Sequence, residues 1–148
     1  MLSDTFTQVY TKFKLNFYRG MFRRLQERES SLSASEAFAV EIIHAMHEPT
    51  ISRFADFINV SMPNANYKVN SLVRKGYIEK VNSTVDRREY HLKTTSRFAD
   101  YYAINQAYID TVMNRINQRF SADELAWFEH ILQVISDELM PESSEKLS

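Results

Sequence analysis

Along most of the chain, apolar residues return at three- or four-residue intervals, the spacing of one helical face; only one short region alternates as strands do. Phe6, Val9, Phe13, Phe17 and Met21 form the first stripe, widened by Tyr10, Phe22 and Leu25, and predict a helix from Asp4 to about Glu29. Arg19, Arg23, Arg24 and Arg28 fall on or near its other face and read as solvated, and Ser30-Ser31 breaks it. Ser33-Ala34-Ser35-Glu36 is a capping box: the serine covers free N–H groups and the glutamate reaches back. The helix it opens is expected to bury Phe38, Ile42, Ile43 and Met46 and to end at Pro49. A long helix is predicted from about Ser96 to Phe120, striped by Phe98, Tyr101, Tyr102, Tyr108, Ile109, Val112, Met113 and Ile116. A second capping box at Ser121-Ala122-Asp123-Glu124 opens the last helix, with Leu125, Phe128, Leu132, Ile135 and Leu139 on its seam and Trp127, Ile131 and Val134 beside them. The terminal helices carry more apolar surface than one small domain covers, and pairing across a two-fold axis would bury it. A homodimer is expected.

The middle of the chain is organised differently. Ile51, Phe54, Ala55 and Ile58 give one face of a short helix, and Asn59-Val60-Ser61 interrupts it with turn and capping chemistry. Pro63 suits the first turn of a following helix, where its missing N–H costs little. Ala65, Val69, Leu72 and Val73 are that helix's buried stripe, and Gly76 ends it as a left-handed cap. The opposite stripe, Asn64, Asn66, Tyr67, Lys68 and Ser71, is polar and reads as reaching outward. Residues 77–81 and 89–92 alternate as two strands around a polar tip, 82–88, that holds Arg87 and Arg88. A helix–turn–helix that exposes amides, a phenol and a lysine has the chemistry of a major-groove reader, and an arginine on a wing tip that of a minor-groove probe.

On Val60-Ser61, Leu72-Val73-Arg74-Lys75-Gly76-Tyr77-Ile78-Glu79-Lys80 and Asp86-Arg87-Arg88, the segment resembles the winged helix of the MarR (multiple antibiotic resistance regulator) family. The Asp-Arg-Arg follows the Lys-Gly at the family's usual distance. Where the family often has Leu-Thr-x-x-Gly after the wing, this chain has Leu92-Lys93-Thr94-Thr95-Ser96. The resemblance implies one mainly α domain over 1–148 with a small β-hairpin wing. Its winged helix-turn-helix would span 33–95, its dimerisation helices 1–30 and 96–140, and its polar tail 141–148. It also implies a homodimeric, ligand-responsive repressor of double-stranded DNA, binding a pseudo-palindromic operator. A small aromatic or phenolic ligand would sit between the dimer helices and the winged domain. On this reading Asn64, Asn66, Tyr67 and Lys68 lie nearest the bases, with Ser61 at the start of their helix. Thr50, Ser52 and Arg74 are candidates for phosphate, which positions rather than specifies. In the wing, Asp86 and Arg88 pair while Arg87 reaches out.

Composition narrows the alternatives. A formal net charge of −1 conceals a division: residues 61–93 carry seven basic and three acidic groups, whereas 121–148 carry one and seven. Local sign governs attraction to phosphate. With no cysteine, disulfides and thiolate metal sites are excluded. No apolar run approaches a membrane span and nothing at the amino terminus resembles a signal peptide, so the expectation is a cytoplasmic protein with no membrane partner. A glycine-rich phosphate loop and a nucleophile–base–acid arrangement are both missing, so no enzyme is expected and no cofactor is assigned. His44 and His47 stand three apart on one helix and could place two ligands on one face, the basis of a zinc-sensing alternative. The favoured reading of the pair is two polar groups near a helix end, suited to its dipole. A second alternative is a winged helix used for protein–protein contact.

Overall fold

The computed structural model describes residues 1–26, 32–83, 85 and 88–143, with backbone only at 24–26 and 105. Among these residues six helices and one hairpin follow in order: α1 (Leu2–Gln26), α2 (Ala34–Ala45), α3 (Ile51–Ile58), α4 (Met62–Arg74), β1 (Ile78–Asn82), β2 (Tyr90–Thr94), α5 (Ser96–Arg119) and α6 (Ala122–Glu138). The chain is mainly helical with a two-stranded wing, the class expected. The predicted break at Ser30-Ser31 lies outside the described residues, as does most of the polar tail.

Local chemistry accounts for the boundaries. Both capping boxes form, Ser33 with Glu36 and Ser121 with Glu124. α3 and α4 each end in a Schellman motif, whose left-handed residue lets two N–H groups satisfy the last carbonyls. At α3 that residue is Asn59 (φ 55°), with Val60 N–H donating to the Ala55 carbonyl and Asn59 N–H to that of Asp56. At α4 it is Gly76 (φ 84°), with Tyr77 N–H on Leu72 and Gly76 N–H on Val73. Because Tyr77 completes this cap, β1 starts one residue later than its alternation suggests. The register pairs Ile78 with Thr94 and Asn82 with Tyr90, which carries β2 past Leu92. Thr50 adds an isolated bridge to His91, so the wing is anchored on the start of α3. α5 begins at Ser96 without the family glycine; the Thr95 hydroxyl instead donates to the Gly76 carbonyl at 2.6 Å.

The core is that of the winged helix. Val40, Ile43, Met46, Phe54, Val69, Leu72, Ile78, Leu92 and Phe98 are all buried. Of the terminal helices, α1 buries Met21 and α6 buries nothing. Phe38 departs from expectation: it is 45% exposed. It turns away from the core toward a cleft beside α1 and α5, while Ala37, Ala39 and Val40 take the inward positions of α2. Among the described residues no helix is long and apolar enough to cross a membrane.

Candidate nucleic-acid interface

The direction of α4's side chains follows from its buried face. With Ala65, Val69 and Leu72 inward and 3.6 residues per turn, the outermost row is Pro63, Tyr67, Asn70 and Arg74. All four are exposed, Tyr67 to 74%. Asn64 is exposed on one flank, its N–H held by the Ser61 hydroxyl that caps the helix. On the other flank Asn66 is half-buried, and its side-chain amide donates to the Met62 carbonyl of its own helix at 3.1 Å. Asn70 has no place in the sequence-derived set, although its spacing from Asn66 and Tyr67 could have found it. Its side-chain oxygen accepts from Lys80 Nζ at 2.8 Å, which ties the outer row of α4 to the wing.

Lys68 and Ser71 do not reach outward as the sequence suggested. Lys68 Nζ donates to the Ser35 hydroxyl at 2.8 Å, and the Ser71 hydroxyl to Glu36 Oε2 at 2.9 Å, because that flank of α4 packs on the first turn of α2. Lys75 joins them, 2.8 Å from Glu36 Oε1. Burial pushes the Glu36 carboxyl up, but the hydrogen bonds from Lys75, Ser71 and Ser33 outweigh it and hold it below its ordinary value. Thr50 is likewise turned inward. It is buried, and its hydroxyl accepts from Arg53 N–H as the cap of α3, which corrects its placement among exposed phosphate candidates. Ser52, one residue on, is exposed.

At the wing, Ser83 N–H donates to the Glu89 carbonyl at 2.9 Å, and Val85 is almost fully exposed. Arg88 is exposed; Asp86 and Arg87 lie outside the described residues. The His44 ring packs against Phe98 and Tyr102 at 4.8 and 4.9 Å, and His47 has a left-handed backbone (φ 55°). Among the described residues no three histidine, aspartate or glutamate side chains converge as a metal site would need. Away from α4, a cleft of about 390 Å³ opens between α1 and α5, lined by Tyr10, Phe13, Lys14, Phe17, Phe38 and Tyr108 among others.

Residues 32–90 match the model of the MarR family. No curated protein matches the chain. Solved structures with the same fold include Streptococcus pneumoniae FabT in complex with DNA, 22% identical, with a TM-score of 0.60 over 94% of this chain and 97% of that one. A transcriptional regulator from Thermotoga maritima is 12% identical, with a TM-score of 0.68 over 93% and 96%. A mutant MarR from E. coli complexed with operator DNA is 17% identical, with a TM-score of 0.52 over 87% and 91%. Residues 32–90 are thus similar to the winged helix of the MarR family, and α1, α5 and α6 complete around it the fold that these solved structures share.

Proposed function

We propose that the protein is a homodimeric transcription regulator of the cytoplasm that represses by binding a pseudo-palindromic DNA operator. The observation that carries this is the outer row of α4. It sets an amide, a phenol and a guanidinium free of the core and is braced to a wing by the Lys80–Asn70 hydrogen bond. α4 enters the major groove with Asn64, Tyr67 and Asn70 toward the bases, while Ser52 and Arg74 meet phosphate. Arg87 carries the wing into the minor groove, where narrow A-tracts concentrate negative potential. The cleft between α1 and α5 supports control by a small aromatic or phenolic ligand: it is walled by rings, and Lys14 Nζ lies 4.6 Å from the Tyr10 ring centroid as a counter-charge.

The test is selection of genomic fragments by the purified protein, followed by footprinting and affinity measurements across a salt series. Two half-sites about 10 base pairs apart or a multiple of that, with strong salt dependence, are expected. Arg87→Ala should weaken the operator and its flank variants together, whereas Asn64→Ala should cost ~1–3 kcal/mol on the operator alone. Equal, salt-insensitive affinity for every duplex would favour a protein-binding winged helix.

A further inference from the structure

Three polar side chains, two of α4 and one of its C-cap residue Lys75, leave the outward face of the helix and converge on one turn of α2. Lys68, Ser71 and Lys75 are spaced to share one stripe of the helix, and all three donate to the first turn of α2: Lys68 to Ser35, Ser71 and Lys75 to the two oxygens of Glu36. Glu36 Oε1 also accepts from Ser33 N–H at 3.3 Å, so one carboxylate serves both the cap of its own helix and the seat of α4. The glutamate side chain is only 15% exposed and that of Lys75 28%. The arrangement has an electrostatic requirement. A helix N-terminus carries positive partial charge, so two ammonium groups are held there against the dipole of α2 unless an anion lies between. Glu36 is that anion. At the same end of α4, the Lys75 carbonyl accepts from Arg97 Nη1 of α5 at 2.8 Å. Lys75 is therefore tied to α2 by its side chain and to α5 by its backbone.

We propose that Glu36 is a positioning residue for the DNA-reading helix, and that Lys75 and Lys68, basic residues within the most basic stretch of the chain, are ties to α2 rather than phosphate contacts. This rests on the DNA-binding reading above. The carboxylate sets how α4 leans on α2, and so the angle at which Tyr67, Asn70 and Arg74 are offered. Its charge, not only its acceptor oxygens, is required, because glutamine at the same position still completes a capping box but does not offset the ammonium groups.

The experiment compares the full-length protein with Glu36→Gln, Lys75→Met and the double variant. It measures affinity for a selected operator fragment and for a random duplex across a salt series, and thermal unfolding without DNA. Each single variant is expected to lower the operator-to-random affinity ratio about tenfold, the size of coupling that contacting pairs show. Lys75→Met should leave the slope of log affinity against log salt unchanged and add no further loss in the Glu36→Gln background. Equal weakening of both duplexes by Lys75→Met, with the slope reduced by about 0.9, would make Lys75 a phosphate contact and overturn the proposal. Additive losses in the double variant would overturn it as well. If the unmodified protein retains no fragment, the DNA-binding reading fails on its own account. The tie is then judged by unfolding alone, where non-additive shifts of the midpoint support it and additive shifts overturn it.

Discussion

The winged helix and the helical arms are written in the same apolar spacing and end in opposite states. From α2 to the start of α5, the stripe residues are sealed: Phe54, Leu72, Leu92 and Phe98 are buried against one another. In α1 and α6 residues of the same kind face outward in the single chain, with Phe22 68% exposed, Trp127 65% and Leu132 43%. The charges are opposed too, basic in 61–93 and acidic from 121 onward. A stripe at three- and four-residue spacing states that a face will be covered, and does not state by what. In the centre the covering elements follow within a few residues of one another, so local helices and a hairpin close a core without help. α6 buries no residue, and under the proposed function its apolar face is half of an interface between two copies.

The largest expected effect separates the two regions outright. Leu132→Glu combined with Ile135→Glu should convert a dimer into a monomer in sedimentation at micromolar concentration, since each buried branched side chain contributes ~1.5–3 kcal/mol. The winged helix should remain folded, because neither residue belongs to its core. A monomeric unmodified protein would break the comparison, since the arm stripes would then need another explanation.

A smaller effect is expected in the opposite direction. Phe54 is fully buried, so Phe54→Ala should lower the stability of the winged helix by ~3–5 kcal/mol in urea unfolding. Phe128→Ala, on an exposed face of α6, should act on the dimer equilibrium and make unfolding more dependent on protein concentration. Equal effects of the two at high dilution would show that the regions are not energetically distinct.

The smallest effect concerns pH and is confined to the seat of α4. Because Glu36 is held below its ordinary value of 4.5, folding is stabilised wherever the unfolded carboxylate is ionised. That contribution is complete at neutral pH and is lost as pH falls from about 4.5 through the lower folded value. The unfolding midpoints of the unmodified protein and of Glu36→Gln should therefore converge on acidification. A gap that stays constant to pH 3 would mean that the ionised form is not what stabilises.

Several features were legible because they depend on neighbours in sequence. The capping boxes at Ser33 and Ser121 and the left-handed end of α4 at Gly76 concern backbone groups within one turn, and each formed where its residues stood. The side-chain directions of α4 were only half legible. Periodicity separates the Ala65–Val69–Leu72 face from the rest, which locates Tyr67 and Arg74 outside. It cannot show that Lys68 and Ser71 meet α2, because Ser35 and Glu36 lie 33 and 35 residues away. Phe38 was misread for a related reason: in a helix as apolar as α2 the spacing leaves more than one choice of inward face.

By itself, then, the sequence determined the kinds of element, the capped starts of α2 and α6, the left-handed end of α4 and the division of charge. These follow from backbone hydrogen bonding, capping and composition within short windows, whereas α2 stops at Ala45 rather than at Pro49. Only the tertiary structure decided which polar groups of α4 remain free and which are consumed. That is settled by the approach of α2 and β1, whose hydroxyl, carboxylate and ammonium groups come within hydrogen-bonding distance across 10 to 39 residues of chain. A lysine in a basic stretch looks alike whether it awaits a phosphate or holds a glutamate. The difference lies in the position of the glutamate, and folding supplies it.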